Sequence, residues 1–241
     1  MTNGFAHMLS LPRGLVLLIG GLCLGCAAAQ TFTTPETVLT KPEVRTTPDD
    51  VYLVNLETSK GRVVIEIHPE WAPIGADRFR ELVDAEFFDD CRFFRAVPGF
   101  VVQCGMSGDP LLNSKWKEKK LPDDPVLQTN KRGYVTFATS GPDSRTTQFF
   151  INLKHNAALD KMGFAPIGRV IEGMEFVDQI ETKYAAEPDQ QLISTRGNAY
   201  LRSNVPDLDY IQTARARAGG GGDSGAVTVS GETSENRSAK R

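Results

Sequence analysis

A β-hairpin is predicted by the stretch Phe93-Phe94-Arg95-Ala96-Val97-Pro98-Gly99-Phe100-Val101-Val102-Gln103. Aromatic and β-branched residues lie on both sides of Pro98-Gly99, a dipeptide typical of turns. A second run, Gln148-Phe149-Phe150-Ile151-Asn152, follows Ser140-Gly141-Pro142 and predicts another strand. Together the two runs place one arginine and two glutamines among apolar side chains. That mixture suits an apolar, kinked ligand, and it contains no obvious nucleophile, metal site or phosphate cradle.

The first 29 residues have the pattern of a secretory signal peptide. Arg13 precedes an apolar run over residues 15–24, and Ala27-Ala28-Ala29 supplies the small residues of a cleavage site. The apolar run is too short for a comfortable transmembrane helix. We therefore expect cleavage after Ala29 and export, either to a periplasm or out of the cell. Two alternatives stay open, namely an uncleaved membrane anchor and a lipid attached at Cys26.

The rest of the chain is weakly acidic and holds two cysteines. Loss of residues 1–29 removes Arg13 and no acid, which takes the formal charge from −3 to −4. This charge argues against nucleic acid as the main partner. Pairing of Phe93 with Cys104 across the hairpin would make Cys91 a diagonal neighbour of Cys104. A disulfide is compatible with that pairing but not implied by it, and the wide spacing of the two cysteines argues against disulfide-exchange chemistry.

Composition divides the remaining residues into three parts. Residues 30–50 are rich in Thr and Pro and predict an exposed linker. Residues 51–213 have the hydrophobic content of one compact domain. From 214 to 241, a Gly/Ser/Thr/Glu-rich tail cannot bury enough apolar surface to fold, so we expect it to be disordered.

Within the domain, short β-branched and aromatic runs predominate. They predict strands at residues 51–56, 63–68, 92–97, 100–105, 134–139, 148–153 and 165–171. Two amphipathic helices are predicted, one beginning near Pro73 and one over 172–180. Residues 107–131 carry several lysines and predict a solvated loop, whereas 192–213 remain ambiguous. Many strands with two helices indicate an all-β barrel or sandwich.

Three motifs in order give the chain a specific family resemblance. Phe93-x-Arg95-x-x-Pro98-Gly99-Phe100-x-x-Gln103, then Gln148 to Asn152, then Leu159-Asp160 resemble the site segments of the cyclophilin-type peptidyl-prolyl isomerases. The resemblance covers residues 51–183. It implies a mainly β fold, a closed eight-stranded antiparallel barrel capped by two α-helices. It also implies a monomer that acts on unfolded or proline-containing polypeptides without a cofactor. From the residues themselves we expect no nucleic-acid partner, because the charge is weakly acidic, no stable membrane span after processing, and no metal, because the histidines lack metal-ligand spacing.

The chemistry of prolyl isomerisation explains why an arginine is needed. An X–Pro bond rotates slowly because amide resonance must be broken, at a barrier of about 18–20 kcal/mol. In the twisted state the prolyl nitrogen becomes a usable hydrogen-bond acceptor. A guanidinium aimed at it stabilises the twisted amide more than the planar one. Arg95 is the candidate donor. By resemblance, Gln103 grips a substrate carbonyl and orients Arg95.

The resemblance also assigns residues that bind the substrate. Phe100, Phe150 and Leu159 are expected to line the proline pocket, with Val101 at its edge. Ala138 and Thr139 are expected along a peptide groove, with backbone groups available for β-like pairing. Gln148 is expected beside the groove.

Departures from the family pattern keep an alternative function open. Phe94 stands where the family usually has His, Thr139 where many members have Asn, and Ala158 where some have Trp. Phe164 occupies the approximate place of another histidine. Phe94, Thr139 and Phe164 keep open, as the alternative, a low-turnover proline-peptide binding or chaperone module. A lipocalin-type small-molecule binder has no sequence feature of its own, and the serines near Gly141-Pro142 lack the acid–His pair of a hydrolase.

Overall fold

A computed structural model describes residues 51–218, and these form one curled antiparallel sheet with helices packed against it. The strands are β1 (Tyr52–Thr58), β2 (Arg62–Ile67), β3 (Cys91–Arg92), β4 (Arg95–Val97), β5 (Val101–Cys104), β6 (Tyr134–Phe137), β7 (Phe149–Asn152), β8 (Pro166–Glu172) and β9 (Tyr210–Ala218). The helices are α1 (Pro73–Asp84), α2 (Pro110–Lys117), α3 (Met174–Val177) and α4 (Gln190–Asn204), with a 3-10 turn at Asp160–Met162. The predicted signal peptide, the linker and the tail beyond 218 lie outside the described residues.

The sheet confirms the mainly β prediction but corrects its details. Its strand order is β3-β9-β1-β2-β8-β6-β7-β5-β4, so nine strands replace the predicted eight. The two ends of this order, β3 and β4, follow each other in the chain, and within residues 51–218 no ladder joins them. The predicted single strand over 92–97 is divided because Phe93 turns away, its backbone N–H donating to the Asp209 carbonyl at 2.9 Å.

The hairpin forms with a register one residue from the predicted one. Arg95 pairs with Gln103 and Val97 with Val101, which leaves a three-residue loop centred on Gly99 at φ 63°. Phe93 therefore does not pair with Cys104, and β3 pairs with β9 instead. Cys91 and Cys104 are buried free thiols, and burial raises the pKa of each.

The main core lies between the sheet and α1. Helix α1 begins with Pro73, as predicted, and buries Phe79, Leu82 and Val83 at helical spacing. Phe79 stacks edge-on against Phe149 of β7 at 5.1 Å between ring centroids, in the geometry that aromatic quadrupoles prefer.

The lysine-bearing segment is helical, which corrects the prediction of a loop. The Asp109 side chain caps α2 by accepting from the Leu111 N–H at 2.8 Å, and Pro110 occupies the first turn. Trp116 is buried against Phe87, whereas the lysines face solvent. The helix predicted at 172–180 is a single turn, α3. None of the helices between residues 51 and 218 combines the length and the apolar composition of a membrane span.

The ambiguous region after 192 forms α4 and β9. Strand β9 pairs with β1 along its length and continues to Ala218, five residues past the predicted end of the domain at 213. Helix α4 contributes Ile193 and Leu201 to a second apolar cluster, whose other members are Phe94, Met106, Val205 and Leu208. The chain therefore has four α-helices within its described part, where two were predicted.

Candidate active site

A cavity of about 440 Å³ opens between the β4–β5 hairpin, the ends of β6 and β7, and the segment that leads into α4. All nine residues predicted for the site line it, namely Arg95, Phe100, Val101, Gln103, Ala138, Thr139, Gln148, Phe150 and Leu159. The sequence prediction therefore brought together residues that are more than 60 positions apart in the chain.

One half of the cavity is apolar. Val101, Phe150 and Leu159 are buried there as a cluster of their own, against which Phe100 and Phe164 pack. The Phe150 and Phe164 rings meet edge-on at 5.7 Å. A concave aromatic and aliphatic wall of this kind excludes water and suits a compact apolar ring.

The other half is dominated by the Arg95 guanidinium. Because Arg95 and Gln103 are paired across β4 and β5, their side chains emerge on the same face. The Arg95 Nη1 donates to the Gln103 Oε1 at 3.1 Å, and the guanidinium lies 5.6 Å from the centroid of the Phe100 ring. Among residues 51–218, no carboxylate forms an ion pair with Arg95. Its positive charge is thus held at the cavity without being neutralised.

Two further hydrogen bonds between glutamine side chains extend the Arg95–Gln103 contact along the cavity wall. The Gln103 Nε2 donates to the Gln148 Oε1 at 2.8 Å, and the Gln148 Nε2 donates to the Gln190 Oε1 at 3.2 Å. Gln103 is buried, whereas the last link is exposed. Gln148 is therefore part of the polar wall, consistent with its predicted place beside the groove.

The groove edge after β6 differs from the prediction in one respect. The Ala138 backbone N–H is already bonded to the Gln148 carbonyl at 2.9 Å, so it cannot pair with a peptide as expected. The Thr139 hydroxyl bonds to the Gly141 carbonyl and to the Ser144 Oγ, the latter at 2.8 Å. Thr139 therefore stabilises its own loop and presents little free hydrogen-bonding capacity to the cavity.

Asp160 anchors the turn that carries Leu159. Its Oδ1 accepts from the Asn130 backbone N–H at 2.9 Å and from the Asn130 Nδ2 at 2.7 Å, and its Oδ2 accepts from the Thr129 hydroxyl. Burial alone raises the pKa of Asp160, but the hydrogen bonds from Thr129 and Asn130 outweigh it and hold that pKa below its usual value. The ionised carboxylate fixes Leu159 at the cavity.

Buried amides hold the rest of the apolar wall. The Asn130 Nδ2 also donates to the Phe164 carbonyl at 2.9 Å. The Asn156 Nδ2 donates to the Phe100 carbonyl at 3.0 Å and to the Asn152 Oδ1 at 2.8 Å. Asn130 and Asn152 are fully buried, where an unpaired amide would be costly. These bonds connect the backbone of each apolar segment to the strands beneath it.

One wall of the cavity is formed by the segment that leads into α4, and the sequence analysis does not predict it. Ala186, Pro188 and Gln190 line the cavity, as do Ser140, Ser144 and Thr146. The Asp189 side chain accepts from the Gln191 and Leu192 N–H groups, a helix cap that the sequence could have revealed. Within the described part of the chain, no group of His, Cys, Asp or Glu side chains is arranged to hold a metal ion.

Comparison with known proteins identifies the class of this fold and site. The model of the cyclophilin type peptidyl-prolyl cis-trans isomerase family matches residues 53–196. The chain therefore belongs to that family.

Individual relatives agree with this membership. The chain is 35% identical over 135 residues to peptidyl-prolyl cis-trans isomerase 10 of Caenorhabditis elegans, covering 54% of this chain and 81% of that protein. It is 38% identical over 133 residues to peptidyl-prolyl cis-trans isomerase A of Dickeya dadantii, covering 53% and 70%. A crystal structure of a cyclophilin type isomerase from Cryptosporidium parvum superposes with a TM-score of 0.54 at 19% identity, over 70% of this chain and 99% of that one.

Proposed function

We propose that this chain is a peptidyl-prolyl cis-trans isomerase that acts on X–Pro bonds without a covalent intermediate. The observation that carries the proposal is the position of Arg95, beside an apolar pocket and without a carboxylate partner among residues 51–218. The family to which the chain belongs supports the same activity.

The mechanism assigns different tasks to the two halves of the cavity. The apolar half, with Phe150 and Leu159, holds the proline ring, while the Arg95 guanidinium donates to the prolyl nitrogen as the amide twists. One charge-assisted hydrogen bond stabilises by about 1.5–3 kcal/mol. A millionfold acceleration needs about 8 kcal/mol. The remainder is assigned to holding the ring and one flanking carbonyl in a dry pocket.

Gln103 can serve both tasks predicted for it. Its Oε1 orients Arg95, and one hydrogen of its Nε2 is used by Gln148. An amide nitrogen carries two hydrogens, so the second is available to a substrate carbonyl. Gripping that carbonyl while the prolyl nitrogen rotates favours the twisted form.

The activity is tested by cis-to-trans relaxation of an X–Pro peptide with the chain and with Arg95→Ala. We expect the variant to lose about 2–4 kcal/mol of transition-state stabilisation, by analogy with removal of one preorganised donor, while its fold persists. Arg62→Ala is the matched control, because Arg62 lies on β2, is half exposed and forms only a loose ion pair with Glu57 at 3.7 Å.

Two results would contradict this assignment. Equal acceleration by the chain and by Arg95→Ala would remove Arg95 from the mechanism. Peptide binding without any acceleration would favour the alternative, a binding or chaperone module. The engaged Thr139 hydroxyl and the apolar Phe94 and Phe164 at the cavity are the observations that keep this second candidate open.

We further propose that the protein is exported and assists the folding of other exported chains. The support is the N-terminal pattern of Arg13, the apolar run over 15–24 and the small residues at 27–29. N-terminal sequencing of the protein recovered from separated cell fractions tests both processing and compartment. A chain that retains residues 1–29 in the cytoplasm would contradict the proposal.

A further inference from the structure

We propose that Gln190, at the start of α4, is a positioning residue for the Arg95 guanidinium. It acts through a relay of side-chain hydrogen bonds that runs from Arg95 to Gln103, then to Gln148, and ends at Gln190. The inference rests on the proposed isomerase function, and it adds to that function a residue outside the motifs that carry the family resemblance.

The relay has a direction that its chemistry imposes. An arginine guanidinium can only donate, so Gln103 must turn its Oε1 toward Arg95 and its Nε2 toward Gln148. Gln148 must then accept with its Oε1, which leaves its Nε2 to donate outward. In the last link the Gln190 Oε1 accepts from that nitrogen at 3.2 Å. The orientation of each amide thus depends on the next one along the wall.

The relay solves a specific problem of this site. A guanidinium on a long, flexible side chain is usually fixed by a carboxylate, which would also neutralise its charge and compete for its donors. Here neutral amides orient it instead, and Arg95 keeps its charge for the twisted amide. An acceptor at position 190 favours the amide orientations that Arg95 requires, which is preorganisation of the donor.

The segment before α4 is attached directly beside Arg95. The Ala96 backbone N–H donates to the Ala185 carbonyl at 2.9 Å. Phe94, on the other side of Arg95, is buried in the cluster that holds Ile193 of α4. Both chain neighbours of Arg95 therefore contact the C-terminal segment, and this double attachment holds Gln190 within reach of Gln148.

The test compares two substitutions that differ in hydrogen-bond direction. Gln190→Glu keeps an acceptor, so the relay persists and we expect kcat/KM within about twofold of the unmodified chain. Gln190→Lys offers only donors, which favours reversal of the Gln148 amide and then of the Gln103 amide and so turns an amide nitrogen toward Arg95. We expect kcat to fall by about two- to tenfold, the effect of one weakened hydrogen bond, with little change in KM.

The matched control is Gln191→Lys, which adds the same charge one residue further along α4 at an exposed position outside the cavity lining. We expect it to leave kcat unchanged. A second control repeats both substitutions at 190 in a Gln148→Met background, where the relay is already cut. There Lys and Glu at position 190 should give the same rate, because the coupling requires Gln148.

The outcomes separate this inference from the function on which it rests. An active chain in which Gln190→Lys and Gln190→Glu have equal kcat would overturn the relay and leave the isomerase intact. A difference between Lys and Glu that persists with Gln148→Met would overturn it too, since a charge effect would then suffice. A chain without any acceleration of relaxation would instead refute the proposed function.

Discussion

Phe94 serves two purposes at this site, and Asp160 supports the site from outside the cavity lining. Phe94 lines the cavity and also packs against α4, with 2% of its surface exposed. The family usually has His at this position. The Phe94 ring therefore adds apolar packing but lacks the hydrogen-bonding nitrogens of an imidazole. Asp160 lies behind Leu159 rather than in the cavity lining, and its carboxylate holds the turn in place.

The carboxylate of Asp160 makes a pH-dependent contribution to stability that can be measured. Its pKa is lower in the folded chain than in the unfolded one, so acid favours unfolding as the pH falls through the folded pKa. We expect Asp160→Asn to be less stable than the unmodified chain at neutral pH, with the difference shrinking below about pH 4. Urea unfolding at several pH values measures this. A difference that stays constant on acidification would contradict the prediction.

Sequence patterns predict the site residues that lie close together in the chain better than those that a distant element brings to the cavity. The hairpin and the run from Gln148 to Asn152 identified six of the nine predicted lining residues, because these six lie close together in short motifs. Ala138, Thr139 and Leu159 were assigned by the family resemblance. Gln190 was missed because its approach depends on how α4 docks, which no local pattern encodes. The predicted register is off by one residue because a turn of Pro98-Gly99 alone omits Phe100, which also belongs to the loop.

Among the elements, α4 depends on one glycine. Gly197 interrupts the helix at φ 55° and ψ −139°, and a Cβ at this position would lie 2.0 Å from the Gly108 carbonyl oxygen. The next residue, Asn198, donates its backbone N–H to that same carbonyl at 2.9 Å. The bend therefore brings α4 close to the segment before α2, and no side chain fits between them.

Substitution Gly197→Ala tests this close approach. We expect a loss of at least about 1–3 kcal/mol in the free energy of unfolding, because both the backbone conformation and the contact with Gly108 become unfavourable. Gly163→Ala is the matched control, since Gly163 also has a positive φ, 86°, but no atom beyond its own chain neighbours lies within 4 Å of its added Cβ. Denaturant unfolding of both variants measures the difference, and equal losses would show that the contact contributes nothing.

Sequence reasoning at the level of elements was weakest where polar residues cover a helix. The lysines of α2 predicted a loop, although the spacing of Asn113 and Trp116 places both on its buried face. Asp109-Pro110 is a helix-start signal that outweighs those lysines. Conversely, the run over 172–180 has helical spacing but forms only one turn, which begins after Gly173 at φ 83°.

Across the whole molecule, the two ends of the described chain are joined in one sheet. Strand β9 lies between β1 and β3, so the first and last described strands are neighbours. Ala214 pairs with Leu56, and Arg215 forms a bidentate contact with Asp89 at 2.8 and 2.9 Å. The predicted domain end at 213 lies inside this strand. The prediction rests on a change in composition, which marks where hydrophobic residues become rare and not where backbone pairing ends.

Two truncated chains test whether the domain ends at residue 213 or at residue 218. A chain ending at residue 213 loses the β1–β9 pairs of residues 214–218, and each lost hydrogen bond costs about 0.5–1.5 kcal/mol. We therefore expect its Tm to fall by several degrees or more. A chain ending at residue 218 keeps every pair and is the control. Equal Tm values for the two chains in thermal unfolding would show that the end of β9 adds no stability.

The concealment of Cys91 and Cys104 has a consequence for contact with other polypeptides. Thiol–disulfide exchange requires an accessible thiolate, and both sulfurs are enclosed with a raised pKa. Under the proposed export to an oxidising compartment, the protein meets polypeptides with reactive cysteines of their own. With both sulfurs enclosed, the protein can bind polypeptides that carry such cysteines without forming mixed disulfides with them.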